Sequence, residues 1–458
     1  MMESFNQSRR GVLKASAMIA GTAMVNSFIA QSAHAASGDT IKVGLIGCGG
    51  RGTAAAGQAL STDQGPIELV AVADAFEDNA RSALGALKAK FQGSPDKVKV
   101  TEETIFSGFD AYKRVIDSGI DMVVIATPPG FRPIHFEYAV EKGKNIFAEK
   151  PVATDAAGIR RFLAAAIEAK KKNLKVGIGL QRHHQAPYID TVKRIQDGAI
   201  GDLILMRAYW NGTRPWVRQR ASLMERKEAA AKKAGKPVEP LTEMEYQMRN
   251  WYYFNWLCGD HINEQHIHNL DVINWVKNGH PVEAQGVGGK QVDTGIDSGE
   301  IYDHHMVEYT YADGTKLLSE CRHQQKCWNS VTEYAHGTKG TADISGHKFD
   351  LIGGGKWKSD AKGKDPYQQE HDDLQHAIRN DIPYSEAEYG AHSTMTSILG
   401  RMATYSGKIC RWDDALKNGP SLMPAEFSFN AKPPTVPDEN GKYPIPMPGN
   451  YVAYAGQK

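Results

Sequence analysis

Three short stretches of this sequence hold side chains whose types and spacing could do chemistry. Gly47-Cys48-Gly49-Gly50-Arg51-Gly52 follows the apolar run Ile41 to Ile46 and precedes a small-residue stretch, Thr53 to Leu60. The first glycine permits a tight turn, the second lets backbone approach an anion, and the last lets a helix pack closely on a strand. The helix N-terminus then faces the negative charge. Such a loop holds a dinucleotide pyrophosphate, with Gly47, Gly49, Gly50, Arg51 and Gly52 around it. "NIFAEKP" sets Glu149-Lys150-Pro151 at the carboxyl end of a predicted strand, the edge where open parallel sheets bind ligands. A lysine there can orient a hydroxyl and stabilise a developing alkoxide. In "EQHIHNLDVINW", Glu264 and His268 lie four apart in a helical pattern, so both can face one small molecule. An imidazole so placed can take a hydroxyl proton as hydride leaves carbon.

The loop has the acidic partner that a dinucleotide needs. Asp74 ends the next apolar run, "IELVAVA", where its carboxylate can accept hydrogen bonds from a ribose hydroxyl and repel a 2′-phosphate. Ala75 and Phe76 supply no arginine for that phosphate, so the sequence favours NAD, with NADP possible. Thr127 and Pro128, in the turn after the run Met122 to Ala126, join Glu149 and Lys150 as further candidate cofactor contacts.

These residues need a scaffold. Ile41 to Ile46, Ile67 to Ala73, Met122 to Ala126 and Asn145 to Ala148 read as buried strands, with helical patterns such as Phe136 to Glu141 between them. Continuous apolar strands alternating with helices predict a parallel sheet covered on both faces. A helix with a Thr154-Asp155 start signal and then a strand, "KVGIGLQ", follow. Leu203 to Tyr209 reads as a strand, residues 218–240 as a charged, solvated helical insertion, and Glu264 to Trp275 as a helix. From Val282 to Ile344 the pattern turns to β, with hairpin punctuation at Asp313-Gly314 and Gly337 to Gly340. Helices are expected over Glu370 to Arg379 and Ala391 to Tyr405. The fold class is α/β: an N-terminal Rossmann dinucleotide-binding domain over residues 36–160, then a C-terminal α+β domain over 161–419 with a large, mainly antiparallel open sheet. Residues 420–458, rich in Pro and Asn, read as an extended arm over a surface of the protein or of a neighbouring subunit.

The chain has 458 residues, enough for two domains. Its 54 basic and 53 acidic side chains leave a formal charge of +1, which gives nucleic acid or a membrane surface nothing to grip. The five cysteines show no CxxC and no zinc spacing, and read as buried free thiols. Residues 1–35 read as a targeting segment. Arg9-Arg10 lies within "SRRGVLK", a weakly apolar run follows, and Ala33-His34-Ala35 is a small-x-small cleavage site. That run is too interrupted for a permanent membrane span. The expectation is export through the twin-arginine machinery to the periplasm or beyond.

On the glycine loop, Glu149-Lys150-Pro151, "GLQRHHQ", "EQHIHNLDVINW" and "GTKGTA", the chain resembles the glucose–fructose oxidoreductase / inositol dehydrogenase / rhizopine-catabolism (Gfo/Idh/MocA) family over most of its length. The resemblance implies an oxidoreductase acting on a sugar, sugar derivative or cyclitol, with Lys150 catalytic and Lys150-Pro151 lining the site. It also implies a homo-oligomer formed through the open sheet. The family's helix motif starts with Asp, whereas this chain has Glu264, one methylene longer, followed by His268 and Asp271. His268 is the candidate general base and Glu264 a substrate ligand or a tuner of His268. Asp271 supports the fold or the imidazole. Gln181, Arg182 and His183 are candidate sugar contacts. Asp260, His261, Glu264 and His268 raise the thought of a metal, but one helix face supplies few ligands and the family chemistry needs none, so no metal is expected. The rings of Asn250 to Trp256, "NWYYFNW", read as a core strip first and a sugar platform second. His304, His305 and His323 read as satisfied sheet histidines.

An exported protein meets little free NAD, so the cofactor is expected to be tightly bound and the redox cycle closed. Hydride would pass from one sugar to a second. Alternatively it would leave and return during a glycoside cleavage or epimerisation through a keto-sugar. A non-catalytic sugar-binding protein on the same fold is the reading from outside enzymology.

Overall fold

In the computed structural model, which describes residues 39–457, the first sheet forms as the apolar runs demand. β1 (Ile41–Ile46), β2 (Ile67–Asp74), β3 (Ile105–Ser107), β4 (Met122–Ile125), β5 (Asn145–Ala148) and β6 (Val176–Ile178) pair in parallel, in the order β3-β2-β1-β4-β5-β6. Strands β1, β2, β4 and β5 are buried on both faces between helices, which is why their sequences are continuous in Val, Ile, Leu and Ala. The order reverses between β1 and β4, and the cleft opens at the carboxyl ends there. The sixth strand lies beyond residue 160. The helix Ala156–Lys171 that precedes it, capped by Asp155 accepting from Gly158 N, packs both on Arg132–Glu141 and on the later helix Ala387–Ser406.

The second sheet has nine strands: β7 (Leu203–Gly212), β8 (Glu283–Gly289), β9 (His304–Thr310), β10 (Lys316–His323), β11 (Ser330–Gly337), β12 (Gly340–Asp343), β13 (Lys348–Leu351), β14 (Lys356–Lys358) and β15 (Cys410–Arg411). Their order is β14-β13-β12-β11-β7-β10-β9-β8-β15, antiparallel except where β10 lies parallel to β7. Period-two burial shows one covered face, with Met206, Ala208, Val307, Tyr309, Leu317 and Cys321 packed in the core. The other face alternates half-buried Leu205, Tyr209 and Leu318 with charged side chains and the exposed Val287 and Met306.

One expectation changes and two are sharpened. The helix expected over Glu264 to Trp275 is two helices, His261–Glu264 and Ile267–Lys277, broken at Gln265-His266. Residues 420–457 form no helix or strand but lie on their own chain. Phe427 and Phe429 pack on Phe76, Phe109 and Phe131, and Leu422 N donates to Asp155 Oδ2 at 2.7 Å. The insertion is the helix Arg220–Ala234, without a buried residue, as its composition demands. The targeting segment at residues 1–35 lies outside the described residues. Among the described residues no helix is long and apolar enough to cross a membrane.

Candidate active site

Gly47 turns with φ +92°, and a Cβ there would lie 2.5 Å from Ala126 C and Thr127 N. Gly52 is tighter still, since its Cβ would meet Gly47 O at 1.8 Å. Gly49 and Gly50 face open space. The helix Gly50–Leu60 starts at Gly49 with no side-chain cap, which leaves its first N–H groups for a ligand. An uncapped helix start behind two bare glycines fits a pyrophosphate.

Asp74 closes the loop from the other side. Its Oδ2 accepts from Cys48 N at 2.8 Å, and its Oδ1 accepts from Phe76 N at 2.9 Å and Asn79 Nδ2 at 3.1 Å. Burial raises its pKa, and these hydrogen bonds work against the rise. Besides meeting a ribose, Asp74 therefore pins the glycine loop to β2. The sequence reading found no arginine beside it, but the fold brings three to the same cleft. Arg249 lies 3.6 Å over the Phe76 ring and pairs with Asp78 at 2.9 and 3.0 Å, and Arg218 and Arg226 line the wall. They come from the second domain, far along the chain, where local inspection around Asp74 could not find them.

The cleft, about 650 Å³, is lined by the glycine loop, Asp74, Thr127, Pro128, Glu149, Lys150, Glu264 and His268. Glu149 accepts from Arg51 Nε, and Arg51 also reaches Glu370 at 3.3 Å, so the loop is tied to the strand end that carries Lys150. Lys150 Nζ donates to Glu264 O at 2.7 Å and to its Oε1 at 3.3 Å. Glu264 Oε2 is buried without a partner. Burial raises the Glu264 pKa, while Lys150 and Arg132 hold it back. Arg132, buried and donating to Pro151 O, went unseen in the sequence, where it is one basic residue at a helix start.

His268 reaches the cleft despite the broken helix, its ring stacked on Trp210 at 5.9 Å. Its Nδ1 has no hydrogen-bond partner. Burial, then the charges of Lys150, Arg182 and Arg51, hold its pKa well below the ordinary value. The ring is neutral at pH 7 and can accept a proton.

Arg182 and His183 do not line the cleft. The Arg182 guanidinium turns inward to the buried Glu333, and His183 Nε2 meets Asp271 Oδ2 at 2.9 Å between the rings of Trp275 and Tyr389. A buried carboxylate holds each of these side chains away from the cleft. Gln181 donates to Tyr367 OH at 3.1 Å, and only Tyr367 of that pair borders the cleft. His261 also leaves the face it was expected to share with Glu264 and His268, because its ring meets Asp260 and His305 below the cleft. Of the aromatic strip, Trp251 lines the cleft, while Tyr252, Tyr253, Phe254 and Trp256 are core.

His184, next to these, clamps β6. Its Nδ1 lies 2.6 Å from Asp373 and its Nε2 2.9 Å from Glu386, which also accepts from Ile178 N. Burial opposes the charged ring, yet the hydrogen bonds to Asp373 and Glu386 win and push its pKa up to about 10. A raised folded-state pKa stabilises fully below the unfolded value of 6.5 and is lost as pH rises through about 10. The His184→Gln variant is expected to unfold with ~3 kcal/mol less free energy at pH 7. In denaturant titrations its gap to the parent narrows towards pH 10. A constant gap would mean that the ring is not charged.

The fold and cleft define a two-sheet protein whose first, parallel sheet is a Rossmann-type dinucleotide-binding unit. Residues 41–178 match the model of the GFO_IDH_MocA oxidoreductase family, NAD-binding Rossmann fold. An inositol 2-dehydrogenase of Klebsiella pneumoniae (strain 342) is 32% identical over 171 residues, 37% of this chain and 45% of the relative. The match thus spans about half the length of that relative. An inositol 2-dehydrogenase of Rhizobium meliloti (strain 1021) is 26% identical over 302 residues, 66% of this chain and 74% of its own. Among solved structures, the aldose-aldose oxidoreductase of Caulobacter crescentus complexed with glycerol shares the fold. Its TM-score is 0.61 at 18% identity, covering 81% of this chain and 99% of that one. A levoglucosan dehydrogenase complexed with NADH and levoglucosan shares it too, with a TM-score of 0.60 at 17% identity, covering 81% and 99%.

Proposed function

We propose that this protein is an NAD(P)-dependent oxidoreductase acting on a CH–OH group of a sugar, sugar derivative or cyclitol. The observation that carries the reading is the convergence of Lys150, the unpartnered Glu264 Oε2 and the neutral His268 on the cleft that begins at the glycine loop. The inositol dehydrogenases to which parts of this chain are similar act on substrates of that class. A bound nicotinamide supplies the hydride acceptor. Lys150 donates to the reacting hydroxyl oxygen and stabilises its developing negative charge. His268 accepts the hydroxyl proton, and the positive charge of Lys150, which disfavours the imidazolium, promotes its return. Glu264 accepts a hydrogen bond from a neighbouring hydroxyl and holds Lys150.

The twin-arginine segment makes this an exported enzyme that leaves the cell folded, with its dinucleotide held as a prosthetic group. Support comes from the cleft itself. Trp216, Arg218, Leu223 and Arg226 of the second domain line it together with the glycine loop, so a dinucleotide would be walled from both domains. The open face of the second sheet, with Val287 and Met306 exposed, is the surface through which copies would associate.

The experiment is to denature the purified, exported protein and assay the supernatant for NAD(H) and NADP(H). About one dinucleotide per chain is expected, and none would end the prosthetic reading. Sugars and aryl glycosides, given without added cofactor, then separate sugar–sugar exchange from glycoside cleavage or epimerisation. No turnover of either would leave a binding protein. In the active assay His268→Ala lowers kcat by ~10²–10³-fold. Full turnover in that variant removes His268 as the base.

A further inference from the structure

Below the cleft, Asp260, His261 and His305 bring one donor atom each to within 4.8 Å of one another, all three residues buried. We propose that they bind one divalent transition-metal ion of the zinc class. The two supporting segments are independent. Asp260 and His261 form the turn before the short helix His261–Glu264, and His305 lies in β9 of the second sheet.

The hydrogen bonds fix which nitrogen of His305 is free. Its Nδ1 lies 2.9 Å from Thr404 Oγ1, and that hydroxyl donates to Arg401 O at 3.0 Å. With the Thr404 hydroxyl hydrogen on Arg401 O, Nδ1 carries the ring proton, and in a neutral ring Nε2 presents a lone pair. That lone pair faces Asp260 Oδ1 at 3.3 Å. Two acceptors at that distance repel unless a cation lies between them or the ring takes a second proton. Asp260 has no need of that proton. Its Oδ2 accepts from Tyr405 OH and from Tyr302 N at 3.0 Å, and its Oδ1 accepts from His261 N. His261 Nδ1 lies 2.8 Å from the same Oδ1, and its Nε2 is buried without a partner. One carboxylate oxygen and two imidazole nitrogens thus converge among buried side chains.

The spacing suits a small ion. Bonds of 2.0–2.1 Å in tetrahedral geometry put donors about 3.3 Å apart. The 3.3 Å from Oδ1 to His305 Nε2 matches that, the 2.8 Å to His261 Nδ1 is shorter, and donors up to 4.8 Å apart must draw in on binding, since two such bonds span at most about 4.2 Å. Two imidazoles with one carboxylate suit zinc or its neighbours and not calcium or magnesium, which take oxygen shells. The ion would staple β9 to the turn that carries Glu264, the residue holding Lys150. It would touch neither substrate nor dinucleotide, so this inference stands apart from the proposed reaction.

The test measures metal directly. Protein purified without metal-affinity steps is dialysed against a weak chelator, analysed by plasma mass spectrometry, and a second sample is refolded with cobalt(II). One equivalent per chain of a single divalent transition metal is expected, with the visible absorption of a tetrahedral cobalt site after exchange. His305→Gln loses both signals. If that variant does not fold, the parent's stoichiometry and cobalt spectrum decide alone. Folded parent protein with substoichiometric metal and no cobalt uptake overturns the site, as does equal metal retention by folded His305→Gln.

Discussion

Lys150→Met is expected to lower turnover by about 10³-fold, ~4 kcal/mol of barrier, while the protein still binds dinucleotide. Among the described residues the ammonium is the only group at the carboxyl end of β5 that both donates to Glu264 and carries positive charge beside it and His268. Methionine keeps the stem and its packing but can neither donate a proton nor stabilise an alkoxide. It also removes the stronger of the two cations, Lys150 and Arg132, that hold down the pKa of Glu264, so that buried carboxyl takes up a proton more readily and ceases to be a pure acceptor. Lys150→Arg is not expected to rescue, because a planar fork cannot replace a point charge that reaches both Glu264 O and Oε1. Turnover and dinucleotide fluorescence titration check the two halves. Near-normal turnover in Lys150→Met would move the chemistry away from this lysine. Lost dinucleotide binding with an intact fold would make it a cofactor ligand instead.

The parts of the site that one local pattern specifies were legible in the sequence. The glycine loop, Asp74 and Lys150 each sit at the end of a buried parallel strand, and strand ends in such a sheet share one edge by topology alone. Glu264 and His268 were legible for a less secure reason. Their four-residue spacing suggested one helix face, and the structure breaks that helix yet still delivers both side chains to the cleft. What was not legible depends on partners distant in sequence. Arg182 and His183 look like sugar ligands until Glu333 and Asp271 are placed beside them. Arg249, Arg218 and Arg226 look like surface charge until the second domain folds over Asp74. They also weaken the sequence argument for NAD over NADP, because it rested on the absence of arginine nearby. His305 reads as one more sheet histidine until Thr404 fixes its tautomer and Asp260 faces its free nitrogen.

The second large effect separates the second and third glycines of the motif by what each is for. Gly52→Ala is expected to cost ~3 kcal/mol of stability and to abolish dinucleotide binding, because its Cβ would sit 1.8 Å from Gly47 O and 3.0 Å from Gly47 C. Those are backbone atoms of the turn itself, so relief requires the loop to leave β1. Gly49→Ala meets nothing within 4 Å, and Gly49 has φ −73° and ψ −177°, open to any residue. Its fold stability therefore changes by less than ~1 kcal/mol. Yet the new methyl projects into the space before the uncapped helix start. It blocks the approach of a pyrophosphate to N–H groups worth ~1.5–3 kcal/mol each when they meet a charge. The expected result is a fall of ~10²-fold in dinucleotide affinity with an unchanged denaturation midpoint. Isothermal titration and denaturant curves on both variants make the comparison. If Gly49→Ala bound NAD and NADP as tightly as the parent, the loop would be a packing device for the helix Gly50–Leu60 and the cradle would lie elsewhere. If Gly52→Ala kept full stability, the close approach of helix to turn would not be what the third glycine is for.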